Sequence, residues 1–299
     1  MKTAIIGAGA VGLYLAWKLA EKDCQVTVFE KRGQIGKSCC SGIFSERILG
    51  FVPQSRRLIE REISSLFVHF PGKTVKIFFK KRFFLMNHAK LDRLLSELAR
   101  DAGAEIVLNY SIKEKDLASF ERVIGCDGAL SETRKKLGLP DPKFRLGLQK
   151  FVGQKDTFSP LIETRALRSG FSWRIPRGDK TEYGALISLQ EVENFPGYTD
   201  SALVPQGLIV PKNKRITLCG DAAGLTKPWS GGGVIWGLTA AQMLLKNFPD
   251  LLKYRRTAKR FFLPQIFFSK TILKLVYFLG FNLPWILPEE IKIEGDFLS

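Results

Sequence analysis

The first residues able to do chemistry are three glycines at fixed spacing. Gly7, Gly9 and Gly12 stand in Gly7-Ala8-Gly9-Ala10-Val11-Gly12, directly after the apolar run Thr3-Ala4-Ile5-Ile6. Leu13, Ala16, Trp17, Leu19 and Ala20 then recur at helical spacing. A strand, a glycine turn and a helix in that order cradle a phosphate. Gly7 permits the tight turn, Gly9 lets backbone N–H groups approach a pyrophosphate, and Gly12 lets the helix pack closely on the strand. Gln25 to Phe29 predicts a second strand ending in Glu30, 18 residues after Gly12. A carboxylate there accepts hydrogen bonds from the ribose hydroxyls of an adenine dinucleotide, and Lys31 beside it is a further cofactor contact.

Later segments narrow the cofactor. Leu91-Asp92-Arg93-Leu94-Leu95 opens a helix that continues through Leu98 and Ala99, and Gly103 to Leu108 follows as a strand. Arg122-Val123-Ile124-Gly125-Cys126-Asp127-Gly128 comes next, with Ser131, Arg134 and Leu137-Gly138 behind it. Arg215 to Leu218 then forms a strand running into Gly220-Asp221-Ala222-Ala223-Gly224, Pro228 and Gly231-Gly232-Gly233. This series resembles the FAD-dependent superfamily that includes the p-hydroxybenzoate hydroxylases, marked by an N-terminal GxGxxG, a mid-chain Asp-Gly and a late Gly-Asp. More narrowly it is similar to the geranylgeranyl reductase family, over about residues 1 to 245.

The resemblance implies FAD as cofactor and assigns roles residue by residue. Asp127 and Gly128 form the mid-chain cofactor contact. Gly220 and Asp221 meet the ribityl and pyrophosphate part, and Gly232, Gly233 and Val234 open a helix whose N–H groups point at the flavin. A helix N-terminus carries about half a positive charge, which stabilises an anionic reduced flavin. Gly170-Phe171-Ser172-Trp173-Arg174-Ile175-Pro176 is similar to the family's Tyr-x-Trp-x-Phe-Pro segment, making Phe171, Trp173 and Pro176 substrate contacts in a lipid cavity. Read without the family, Phe171, Trp173 and Ile175 simply alternate inward along a strand. Ser38-Cys39-Cys40-Ser41-Gly42 occupies the place of the family's Cys-Gly-x-Gly loop beside the flavin ring. Cys39 aligns best and Cys40 stands where glycine is expected. Both are candidate catalytic thiols, Cys39 and Gly42 also being cofactor contacts; the alternative is that the thiols are small hydrophobes. His88 replaces an arginine that contacts the FAD phosphates in the family; it keeps a hydrogen bond there but supplies less charge.

Around these motifs, Ile63 to Phe70, Thr74 to Phe79, Phe144 to Val152 and Glu182 to Leu189 read as strands. The expected fold class is α/β: a Rossmann-like FAD-binding domain interleaved with an antiparallel-sheet substrate domain, plus a C-terminal helical segment. The FAD-binding domain takes residues 1–62, 88–142 and 204–249, the substrate domain 63–87 and 143–203, and a basic, Phe-rich helical region 250–299. Only a short stretch links Leu189 to Val210, so a cavity smaller or more open than in the family is expected.

The 299 residues carry 46 Lys and Arg against 29 Asp and Glu, a net charge of +17. Ordinary globular composition excludes disorder, and the surplus favours anionic partners. From Leu251 to Pro288 seven basic residues occur without an acid, interleaved with Phe261, Phe262, Phe267, Phe268, Tyr277 and Phe278. Such a segment suits the headgroup layer of an acidic membrane, or a helix pair closing the substrate cavity. Thr271 to Leu287, interrupted by Lys274 and Pro284, is too short an apolar run to span, so contact without crossing is expected. Nucleic-acid binding has no fold signature here. Five scattered cysteines support neither a disulfide framework nor zinc. His69 and His88 are the only histidines, which argues against a metal centre, and His69 reads as a strand residue without a role.

The expected activity is FAD-dependent reduction of isoprenoid double bonds in a geranylgeranyl lipid, either an archaeal-type membrane lipid or geranylgeranyl diphosphate. A ferredoxin-like protein or NAD(P)H supplies the electrons, in the cytoplasm or peripherally on the inner membrane face. The alternatives are an FAD-dependent monooxygenase of an apolar substrate and a membrane-associated electron-transfer flavoprotein.

Overall fold

A computed structural model describes residues 1–36, 39–153 and 161–294. Ser38 of the cysteine loop, residues 154–160 of the substrate-domain segment and the last five residues lie outside this set. Along the chain, β1 (Lys2–Ile6), α1 (Ala10–Ala20) and β2 (Gln25–Phe29) precede β3 (Ile43–Ser45) and α2 (Ile48–Phe51). The hairpin β4 (Ile59–Phe70) and β5 (Lys73–Met86) leads to α3 (His88–Asp101), β6 (Glu105–Val107), β7 (Arg122–Gly125) and α4 (Glu132–Lys136). Next come β8 (Lys143–Gly153), β9 (Ile162–Leu167), β10 (Gly170–Arg177), β11 (Lys180–Ile187) and β12 (Asp200–Gln206). The chain ends with β13 (Ile216–Leu218), α5 (Val234–Asn247), α6 (Leu251–Asn282) and β14 (Glu290–Ile293).

The first sheet is parallel, in the order β13-β7-β1-β2-β6, as glycine-turn crossovers require. Its helices bury apolar faces together: Leu13 and Leu15 of α1, Leu91 and Leu95 of α3, and Leu238 and Leu244 of α5 share one core. α1 is apolar almost all round because that core surrounds it. Asn87 caps α3, its side chain accepting from Lys90 N at 3.0 Å. A Cβ on Gly12 would lie 2.1 Å from the Gly7 carbonyl oxygen, so only glycine lets α1 start this close to β1.

The second sheet curls beside the first in the order β12-β8-β11-β10-β9-β4-β5-β14, with β3 also on β5. It departs from the expected antiparallel sheet at two pairings. β4 runs parallel to β9 (Leu66 opposite Ile162) and β5 parallel to β14 (Lys76 opposite Glu290). Each partner is reached only after the chain has left for the other layer and returned, so no hairpin fixes its direction. β3 and β14 also differ from expectation, lying in segments assigned to the FAD-binding domain and to the helical C-terminus. Alternation of Ile291 and Ile293 with Glu290 and Lys292 suits β14 to the outer side of β5.

The expected C-terminal helix pair is a single 32-residue helix, α6. Pro264 falls inside it on the exposed side, where the carbonyl left without an N–H partner meets solvent. Tyr254, Phe262, Ile266 and Ser269 form its buried side. By length and composition alone α6 is long and apolar enough to cross a membrane, and 17% of its most apolar 18-residue window is buried.

Candidate active site

The glycine turn is the first part of the site. Gly7 has φ +103°, and a Cβ there would lie 2.4 Å from the Cys126 carbonyl oxygen. At Gly9 nothing lies within 4 Å of a Cβ position, which leaves the backbone open to close approach. α1 has no side-chain cap at its N-terminus, so its first N–H groups remain available to an anion. Glu30, 5% exposed, closes the turn from β2. Its Oε2 accepts from Ala8 N at 2.9 Å and its Oε1 from Arg32 N and Nε, both at 3.0 Å. Burial alone would raise its pKa, but these hydrogen bonds and the Arg32 charge hold it below the ordinary value. Arg32 had no motif to announce it. Lys31 is exposed at the surface.

The mid-chain Asp-Gly is held by local hydrogen bonds. The carboxylate of Asp127 accepts from Ser131 Oγ at 2.5 Å, Thr133 N at 2.9 Å and Thr133 Oγ1 at 3.0 Å, and so fixes the start of α4. Gly128, with φ +80°, makes the turn. Behind it the fully buried Arg134 donates to the carbonyls of Ala129 and Ala222, at 2.8 and 2.9 Å, and pairs with Asp141. One guanidinium thereby ties the mid-chain loop to the late Gly-Asp turn.

That late turn begins at Gly220, packed on Val11 of α1. Asp221, Gly232, Gly233 and Val234 gather at one end of a cavity of about 600 Å³. Gly233 is the N-cap of α5, again without a side-chain cap. Two open helix N-termini, the bare backbone at Gly9 and an acid beside each glycine turn fit the phosphates, sugars and ring of FAD.

The rest of the cavity is predominantly apolar. Phe171, Trp173 and Ile175 of β10 form part of its wall, the two aromatic rings 5.8 Å apart. Pro176 is buried outside the lining. Leu66, Val68, Val75, Ile77 and Phe79 of the β4–β5 hairpin add a wall readable only as strand alternation. Ile272, Leu273, Val276 and Tyr277 roof it from α6, and the Tyr277 hydroxyl donates to Gly170 O at 2.6 Å. Trp173 Nε1 donates to Glu182 Oε1 at 2.9 Å, and its ring occupies the space a Cβ on Gly184 would need.

Cys39, Cys40 and His88 also line the cavity. The cysteine loop is held by groups that carried no sequence signal. Gln149, 1% exposed, accepts from Cys40 N and donates to Cys40 O, both at 3.2 Å. Arg177 donates to Ser41 O and to Glu182 at 2.7 Å. Gly42, with φ +62°, leaves no room for a Cβ beside Met86 O. His88 sits at the first position of α3, pairs with Asp92 at 3.4 Å and meets the edge of Phe44. Burial opposes its charge, but the Cys40 and Asp92 charges and hydrogen bonds push it up to about 10. By contrast burial pushes Cys219 up to about 12, leaving that thiol inert. His69 stacks on Phe67 and contacts Thr74 Oγ1 at 3.0 Å on the hairpin. Among the described residues, no group of three or more His, Cys, Asp or Glu could hold a metal.

Residues 5–51 match the model of the NAD(P)-binding Rossmann-like domain. Digeranylgeranylglycerophospholipid reductase 1 of Methanosphaera stadtmanae is 22% identical over 290 aligned positions, covering 78% of this chain and 71% of that one. A geranylgeranyl bacteriochlorophyll reductase-like protein from Thermoplasma acidophilum has the same fold, with TM-score 0.69, 19% identity and coverage of 92% and 82%. A probable FAD-dependent monooxygenase from Pseudomonas aeruginosa shares it too, with TM-score 0.69, 15% identity and coverage of 94% and 95%. The comparisons bear out the α/β fold class, the resemblance to geranylgeranyl reductases, and the reading as an FAD-dependent oxidoreductase.

Proposed function

We propose that this chain reduces isoprenoid double bonds of a geranylgeranyl lipid, a glycerophospholipid or a diphosphate, at an acidic membrane surface. The observation that carries the reading is a cavity with an FAD-suited end at Asp221 and Gly233 and apolar walls from β10, β4, β5 and α6. FAD, when bound and reduced, supplies a hydride to one alkene carbon. Gly7, Gly9, Gly12, Glu30, Gly220 and Asp221 anchor the cofactor. Gly232, Gly233 and Val234 hold its ring end, and Phe171 and Trp173 orient the chain while the apolar walls exclude water. A ferredoxin-like protein or NAD(P)H supplies the electrons. Chemically reduced protein incubated with digeranylgeranylglycerophospholipid, or with geranylgeranyl diphosphate, is expected to give products heavier by two hydrogens per reduced bond in mass spectrometry. An oxygenated product would support a hydroxylase instead, and unchanged lipid would sink the reading.

The surface of α6 supports peripheral attachment, which we assign to the cytoplasmic face. Its exposed side carries Phe267 and Phe268, 67% and 57% exposed, with Leu275 and Phe278 further along the same helix. Arg255, Arg256, Lys259 and Arg260 lie on its N-terminal half. Each basic residue near an anionic surface contributes about 1 kcal/mol. Binding to acidic liposomes is expected to fall steeply with salt, as the Debye length shrinks from ~10 Å at about 0.1 M to ~3 Å at about 1 M. Equal binding to neutral and acidic liposomes, or binding unchanged when the four residues become Gln, would reduce the basic side to a solvated surface.

A further inference from the structure

We infer that Lys227 is a cofactor-binding residue whose ammonium offsets the negative charge that reduction places on the flavin ring, and so sets how readily bound FAD is reduced. This deepens the flavoprotein reading and rests on it. Lys227 is 6% exposed, and among the described residues it is the one Lys or Arg lining a cavity whose walls are predominantly apolar. A buried ammonium is kept in such surroundings where an anion or a developing negative charge offsets its lost hydration.

The loop around Lys227 decides which negative charge that is. Lys227 N donates to Gly232 O at 3.1 Å and Gly231 N donates to Lys227 O at 2.9 Å, so the residue is stapled to the glycine triplet that opens α5. Its Cδ lies 3.9 Å from the place of a Cβ on Gly232, and its Nζ lies 5.9 Å from the centre of the Trp229 ring, which also lines the cavity. The side chain therefore belongs to the flavin-suited end at Asp221 and Gly233 rather than to the β4–β5 hairpin that walls in the lipid. α5 starts at this end without a side-chain cap, so a full positive charge and a helix N-terminus stand together there. Two-electron reduction with uptake of one proton leaves the isoalloxazine ring anionic over its pyrimidine half. Such a charge is attracted far more strongly in a site of low dielectric than in water. The other titratable side chains on the cavity wall are Cys39, Cys40, His88, Asp221 and Tyr277. His88 is matched by the fully buried Asp92 at 3.4 Å, and the Tyr277 hydroxyl is spent on Gly170 O. Asp221 is the acid of this end and accepts from the ribityl hydroxyls in the proposed arrangement, which leaves Lys227 as the cation for the ring.

The test is a potentiometric titration of FAD-loaded, full-length protein with dithionite and reference dyes, across pH and without lipid. A tenfold change in proton concentration is worth about 30 mV for each proton taken up by a two-electron couple, so the slope is about 30 mV per pH unit where reduced FAD is an anion and about 60 mV where it is neutral. In wild-type protein the change of slope is expected at a pH below that of free FAD. Lys227→Met should move it upward by about one pH unit and lower the potential on the anionic side by about 30 mV, both being a tenfold loss of preference for the anion. Lys227→Arg keeps the charge and should keep the wild-type profile. Wild-type protein whose change of slope coincides with that of free FAD overturns the assignment whether or not the variants fold, as does a wild-type profile in Lys227→Met. Protein that takes up no FAD overturns the cofactor reading and this assignment with it. The expected profile in protein that reduces no isoprenoid lipid supports Lys227 and overturns the reductase reading alone.

Discussion

Arg134→Ala is expected to lower stability by about 2 kcal/mol or more, at about 1 to 3 kcal/mol for each buried carbonyl left without its donor. The guanidinium is fully buried, and its loss strands two backbone carbonyls, Ala129 O and Ala222 O, while the half-exposed Asp141 carboxylate turns to solvent. Those carbonyls belong to the mid-chain Asp-Gly loop and the late Gly-Asp turn, so both cofactor motifs should loosen together. Urea unfolding checks the first effect and flavin titration the second. A loss under about 1 kcal/mol would mean that solvent reaches these carbonyls.

Gly12→Val should separate the protein from its cofactor. Wild-type protein is expected to be yellow and to release intact, noncovalent FAD on denaturation. A Cβ 2.1 Å from the Gly7 carbonyl oxygen must push α1 away from β1, and overpacking of this kind typically costs ~1 to 3 kcal/mol. The same shift moves the N–H groups of the turn off the pyrophosphate. Two such hydrogen bonds at about 1.4 kcal/mol each amount to a hundredfold loss in FAD affinity. Affinity within tenfold of wild type would place the pyrophosphate elsewhere.

The cofactor layer was legible because glycine turns act through backbone sterics, which residue type and spacing disclose directly. Gly7, Gly12 and Gly220 are glycines because a Cβ at each would crowd a neighbouring strand or helix. The same logic exposed β1, β2, β7 and β13 and the start of α5. Asp127 shows the limit: a motif identifies the residue, while its hydrogen bonds depend on where Ser131 and Thr133 fall in space. The second layer was legible only in part. Alternating apolar residues marked β4, β5, β8 and β11, but parallel pairing of β4 with β9 is a long-range choice that local pattern does not encode. Gln149, Arg177 and Glu182 hold the cysteine loop and Trp173 from positions that look like ordinary strand polar residues. The length of α6 was not legible either, since it runs as one helix through Pro264, which falls on the exposed side.

Ile272 and Val276 are exposed on α6 and also line the cavity, so the outer row of rings and the inner wall are one surface. At a bilayer this continuity removes the aqueous step from substrate capture. A tail sliding from acyl chains along α6 exchanges one apolar surrounding for another, so its partition free energy is near zero whatever its length. Discrimination then falls to the headgroup and to the fit of each double bond beside the flavin end, and chain length itself goes largely unread. The relevant concentration becomes the lipid's mole fraction in the leaflet rather than its amount per volume. Diluting substrate with inert lipid slows such an enzyme, while diluting the whole suspension leaves the bound fraction turning over as before.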